Sequence, residues 1–198
     1  MNRLQLPENY AEFGKINYKK NTRLNIIITV STLIGALLMI VIAGLITGFN
    51  SAVATFMSNG IKNPIITVVG VLLIPSVQEG LKGLIYTVFC KGSAKFSFDG
   101  LGLKAVGRGF YDKKSFILAN VLPSVTVAVI LAVANAVAGK DLFWVIYLMQ
   151  VYNIAGSADQ YCIAATAGKM SRKMLVQMSG HTARFFKKVQ PPVNGLQN

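Results

Sequence analysis

Apolar residues run almost without interruption through four stretches of the chain, residues 24–48, 64–90, 115–139 and 142–168. Each is long enough for an α-helix to cross the hydrocarbon of a bilayer, which takes roughly 20 residues. The first carries no charge, and the second is broken only by Glu79 and Lys82. The third contains Asn120, Pro123 and Asn135, and the fourth contains Gln150, Asn153 and Asp159. Only Gly139-Lys140-Asp141 separates these last two, which predicts a tight antiparallel helical hairpin. Pro75 and Pro123 are expected as kinks, and Asn120, Gln150 and Asn153 as interhelical hydrogen-bonding residues. The pattern therefore predicts an all-α integral membrane protein, a single domain built as a four-transmembrane-helix bundle.

Two segments outside the spans have patterns of their own. Residues 96–106 alternate apolar and polar positions around a glycine-containing turn, predicting a short extended hairpin between spans two and three. In residues 169–189, Met170, Met174, Met178, Phe185 and Phe186 recur at near-helical spacing among basic residues, as expected of a helix lying on anionic lipid. Pro191 and Pro192 end that segment, and the last residues are expected to be disordered.

Composition agrees with the membrane assignment: 53% of the residues are hydrophobic and only 14% charged. The formal net charge of +13 needs no nucleic acid to explain it. Lys and Arg concentrate in residues 1–23, in the stretch from Lys91 to Lys114, and after residue 168, while the two opposite loops hold only Lys62 and Lys140. That distribution predicts four spans with both termini cytoplasmic, and fits a bacterial plasma membrane. The first span is about twice the length of a signal-peptide core and lacks a convincing cleavage site, so it is expected to remain in place. Cys90 and Cys162 fall toward the cytoplasmic ends of their spans, where a reducing setting favours packing roles over a disulfide.

Ionisable groups are costly in hydrocarbon and tend to mark sites, so Glu79, Lys82 and Asp159 are the candidate site residues. At a helical rise of about 1.5 Å per residue, Glu79 and Asp159 reach a similar depth in the cytoplasmic half. Lys82 lies one turn from Glu79 on the same helix face. The three are expected to meet as a buried charge cluster, with Lys82 pairing both carboxylates.

The segment Gln78-Glu79-Gly80-Leu81-Lys82-Gly83-Leu84 resembles the His-Glu-x-x-His-Gly-Leu helix of a family of small multi-pass membrane zincin-type peptidases, themselves similar to site-2 proteases. The resemblance extends over roughly residues 64–168. It takes in the extended segment at residues 96–111, Asn120-Val121-Leu122-Pro123, and Gly156-Ser157-Ala158-Asp159. It implies that positions 78, 82 and 159 correspond to zinc ligands and Glu79 to the general base. Gln78 and Lys82 depart from the pattern. A glutamine carbonyl is a poor zinc ligand, and an ammonium must lose its proton to bind a cation. The only histidine, His181, lies in the tail. The implied protein is a zincin-like pseudoenzyme with no cofactor, which binds or regulates another membrane protein, with assembly into an oligomer left open. Two alternatives remain open: an active intramembrane protease using Glu79 and Asp159 as a carboxylate pair, and a small transport or ion-relay subunit.

Overall fold

The computed structural model describes residues 3–17, 20–89, 94–98, 103–179 and 182–189. Strand β1 (Tyr10–Asn17) leads into helix α1 (Thr22–Thr47), capped by the Asn21 side chain, which accepts a hydrogen bond from the Leu24 N–H at 3.1 Å. Gly48, at φ +78°, turns the chain directly into the short helix α2 (Phe49–Met57), a backbone angle that only glycine adopts at little cost. Helix α3 (Lys62–Phe89) follows, then strands β2 (Ala94–Phe98), β3 (Leu103–Gly107) and β4 (Tyr111–Asp112). Helix α4 (Lys113–Val137) and a 3-10 turn at Lys140–Leu142 lead to α5 (Phe143–Gly156) and α6 (Ala158–Gly168). Strands β5 (Leu175–Ser179) and β6 (Thr182–Lys188) complete the described chain.

Three helices, α1, α3 and α4, are long and apolar enough to cross a membrane. Their side chains fit that setting: Leu33, Leu37, Leu45, Ile46, Leu72 and Val137 are each more than 60% exposed, a surface that water would not tolerate over such an area. Their bounds lie within about two residues of the first three predicted spans. The fourth predicted span is not one helix. It divides at Ser157 into α5 and α6, neither of which is long enough alone. The cause is local: Gly156 precedes a serine whose Oγ donates to the Asn153 carbonyl one turn back at 2.7 Å, and both features bend helices.

The fold is not all-α. An antiparallel sheet in the order β1-β6-β5-β4 caps one end of the helices, and β2 and β3 form a separate two-stranded sheet. The predicted hairpin over residues 96–106 is thus present as strands, its turn lying outside the described residues. The surface helix predicted over residues 169–189 is not found among the described residues. Strands β5 and β6 stand there instead, paired antiparallel from Leu175 with Phe186 to Ser179 with Thr182. His181, Cys90, Pro191 and Pro192 lie outside the described residues.

What holds the sheet to the helices is a shared core: Tyr86, Tyr111, Phe116, Ile163, Val176 and Phe185 are buried together. Tyr86 and Tyr111 pack together with ring centroids 4.9 Å apart and planes tilted by 38°. At the opposite end Trp144 packs with Ala43 and Ala52. There Asn63, 1% exposed, donates to the carbonyls of Phe56 and Asp141 at 3.0 and 3.1 Å and ties the start of α3 to the 3-10 turn.

Asp112 ends β4 and caps α4, its Oδ1 accepting from the Ser115 N–H at 2.9 Å. Partial burial pushes its carboxyl up, but the hydrogen bonds it accepts, those of Ser115 among them, leave it below its ordinary range. Asp112→Ala is predicted to cost about 1 kcal/mol at neutral pH, as for other N-caps. A depressed folded-state value makes this stabilisation complete above the ordinary carboxylate pKa of about 4 and removes it as pH falls further. Denaturation of parent and variant in mild detergent should therefore converge in acid, and an undiminished gap at pH 3 would contradict the assignment.

Candidate functional site

Helix α3 sends its polar residues to two different neighbours. Gln78, 6% exposed, faces α5 and α6. Its Nε2 donates to Asn153 Oδ1 at 2.6 Å and to Ser157 Oγ at 3.1 Å, which uses both amide hydrogens. The Ser157 hydroxyl has one proton, and the shorter contact, to the Asn153 carbonyl, takes it. Asn153 Nδ2 donates onward to the Ser124 carbonyl at 3.0 Å, and Ser124 Oγ meets the Tyr161 hydroxyl at 2.5 Å. Gln160 Nε2 reaches Gln78 Oε1 at 3.5 Å. A carboxamide on α3 thus gathers α4, α5 and α6 into one buried neutral network.

Glu79 and Lys82 face the other way, toward the β2–β3 sheet. Lys82 Nζ lies 3.4 Å from Glu79 Oε1, the two side chains being 12% and 17% exposed respectively. Glu79 Oε2 accepts the backbone N–H of Ala105, in β3, at 2.7 Å. One turn along, the Phe96 ring of β2 occupies the space where a Cβ on Gly83 would be. Glu79 lies ten residues before the end of α3, about 15 Å along the axis. The hairpin therefore runs well up the side of α3.

Asp159 joins neither group. It is exposed, and its Oδ1 accepts the N–H of Gln160 at 2.7 Å in the first turn of α6. The expected three-way cluster is therefore two residues, Glu79 and Lys82. The reason is rotational: equal depth brings two residues to one level but does not turn them to one side. The buried stripe here is Asn153, Ser157, Gln160, Ala164 and Ala167, at spacings of four, three, four and three, and Asp159 falls beside it. That stripe of polar residues at i, i+4 and i+7 was visible in the sequence, and it is the signal that identifies Ser157 and Gln160. Ser124 and Tyr161 carried no such mark.

Of the other polar residues read as interhelical, Asn153 does bridge helices. Asn120 Nδ2 donates to the Phe116 carbonyl in its own helix, and its side chain also interacts with the Tyr86 hydroxyl of α3. The buried Gln150 Oε1 has no hydrogen-bond partner among the described residues, nor does the Oδ1 of Asn135, to which the sequence assigned no such role. Gly80 has open space where a Cβ would sit, while Gly70, not singled out by the sequence, lies against Met149 of α5.

The three positions that the resemblance aligns with zinc ligands do not fit zinc. Gln78 spends its amide on Asn153 and Ser157, Lys82 presents an ammonium paired with Glu79, and Asp159 is turned away from both. Among the described residues no three His, Cys, Asp or Glu side chains gather as a ligand set. Comparison of the chain with protein families, curated proteins and solved structures finds no match.

Proposed function

We propose that the chain is a non-catalytic, zincin-like membrane protein that works by holding a segment of another membrane protein. The observation that carries this reading is the engagement of Glu79: one carboxylate oxygen is paired with Lys82 and the other takes the Ala105 N–H. The group that would act as general base serves instead as an anchor for the hairpin. The alternatives that need Glu79 and Asp159 together, a carboxylate dyad or an ion relay, lose support from their separation.

The hairpin supplies the binding surface. Ala105 pairs with Phe96, and its N–H points to Glu79 rather than across the sheet, so the two form a non-hydrogen-bonded pair. The N–H and C=O of Phe96 then face the outer edge of β2, which no other described strand covers. Exposed backbone groups at membrane depth require a partner, and an extended peptide adding as a third strand provides one.

Four crossings suit this arrangement. The chain leaves the capping sheet at β1 and at β4 and returns at β3, which packs near β5, and again at β5 itself. Helix α4 has 25 residues, about 37 Å. The return from its far end to the sheet is made by α5 and α6 in series, which we assign as the fourth crossing. All three basic regions then lie on the sheet side, which the positive-inside rule places in the cytoplasm, in keeping with a bacterial plasma membrane.

The test is a photo-crosslinking residue at Ser97 of the full-length chain in cells. A discrete adduct with one membrane protein is expected, lost on Phe98→Pro, which removes an edge N–H without touching the β2–β3 ladder. Accumulation of an uncleaved partner on Glu79→Gln would instead identify an enzyme, and absence of any adduct would overturn the binding role.

A further inference from the structure

We infer that the end of the bundle opposite the capping sheet holds a two-chain phospholipid whose head group donates hydrogen bonds. A cavity of about 370 Å³ opens there between α1, α2, α4 and α5, lined by Thr47, Ser51, Thr55, Asn135, Lys140 and Trp144. Into this mixed vestibule project three hydroxyls, that of Thr47 donating to the Ala43 carbonyl, with a carboxamide and an ammonium. Lys140 forms no ion pair among the described residues, so it offers a cation to a phosphodiester. Asn135 lines the cavity, and its Oδ1 lies just beneath the wall with no hydrogen-bond partner among the described residues; a turn of the carboxamide about its last torsion, which is soft, presents that oxygen to an N–H or O–H from outside the chain.

Two apolar slots adjoin this vestibule, each sharing lining residues with it. One, of about 370 Å³, shares Asn135 and Phe143 with it and continues between α4 and α5 past Leu131 and Tyr147 to Gln150. The other, of about 240 Å³, shares Trp144 and continues between α1, α2 and α5 past Ile40, Phe56 and Leu148. The paired aromatics Phe143 and Trp144, their rings 5.6 Å apart and edge-on, stand between the slots. A transmembrane helix, about 10 Å wide with its side chains, does not divide in two around such a wedge, whereas the two chains of one lipid do.

The discriminating probe is a pair of lipids with identical chains, phosphatidylethanolamine and phosphatidylcholine. Both carry the phosphodiester and the same net charge, but only the first has N–H donors. The full-length chain, exchanged into lipid-free mild detergent, is titrated with each and read by native mass spectrometry. One phosphatidylethanolamine per chain is expected at saturation, bound about tenfold more tightly than phosphatidylcholine, the worth of one hydrogen bond to an otherwise unpaired buried acceptor. Asn135→Leu should bring the two lipids within about twofold of each other. It removes an unpartnered group, so the unliganded fold should not suffer. Lys140→Gln should weaken both lipids alike and leave their ratio unchanged, which keeps the proposal testable if the first variant misfolds. Unsaturable binding, equal affinity for the two lipids in the parent, or a proteinaceous adduct from a photo-crosslinker at Phe143 that lipid does not displace would each overturn it.

Discussion

Lys82→Met is expected to destabilise the folded chain by about 3–5 kcal/mol, the range seen when one partner of a buried ion pair is removed, and Lys82→Met with Glu79→Gln to recover most of that loss. The single variant leaves the Glu79 carboxylate at membrane depth with one hydrogen bond, from the Ala105 N–H, and no compensating charge. The double variant removes both charges. A glutamine at 79 still presents an oxygen to Ala105, so the anchor between α3 and β3 survives as a neutral hydrogen bond. Unfolding by graded detergent titration measures the difference, and a single variant within about 0.5 kcal/mol of the parent would show that the pair is solvated and interchangeable. The position of the pair bears on function as well. A weakened anchor should free the hairpin from α3, so Lys82→Met should also lower crosslinking through Ser97 more than its loss of stability explains.

The elements with the longest apolar runs were legible in the sequence because a bilayer imposes one rule, length and hydrophobicity, and α1, α3 and α4 obey it without competing signals. The hairpin β2–β3 was legible for the same kind of reason, since alternation around glycine has few other meanings. The capping sheet was not. Its strands come from residues 10–17, 111–112, 175–179 and 182–188, and its existence depends on pairing between the two ends of the chain, which no local window contains. Once paired, Val176, Ala183 and Phe185 turn inward onto Tyr111 and Phe116, and burial there outweighs the helical spacing of Met170, Met174 and Met178. At the site, charge drew attention to Asp159, yet the structure uses the uncharged neighbours Ser157 and Gln160. Depth follows from a residue count along a helix, while the face presented depends on the break at Ser157 and on which stripe packs. A neutral network of Gln, Asn and Ser gives a weaker sequence signal than three ionisable groups, although it joins more helices.

Gln78→Leu is the complementary prediction, with an expected cost of about 2–4 kcal/mol by the same titration, against no more than about 0.5 kcal/mol for Asp159→Asn. The leucine fits the volume, so the penalty comes from what it abandons. Asn153 Oδ1 loses its 2.6 Å donor, and Gln160 Nε2 loses its acceptor, both in the interior of the bundle. An unsatisfied buried group costs about 1–3 kcal/mol, while hydrogen bonds inside membrane bundles average nearer 0.6 kcal/mol because the unfolded helices find other partners. The expected range follows from two abandoned groups, with the upper limit brought down by that averaging. Asp159 is exposed and accepts only its neighbour's N–H, a role that asparagine oxygen also fills. The ratio between the two variants is therefore the decisive quantity. If the zinc-ligand positions of the resembling family had kept their mutual geometry here, positions 78 and 159 would be coupled and both substitutions costly. A large effect at 78 with almost none at 159 would mean that Gln78 has been absorbed into the packing of α3 against α5 and α6. A comparable loss at both positions would reunite them and reopen the case for a shared site.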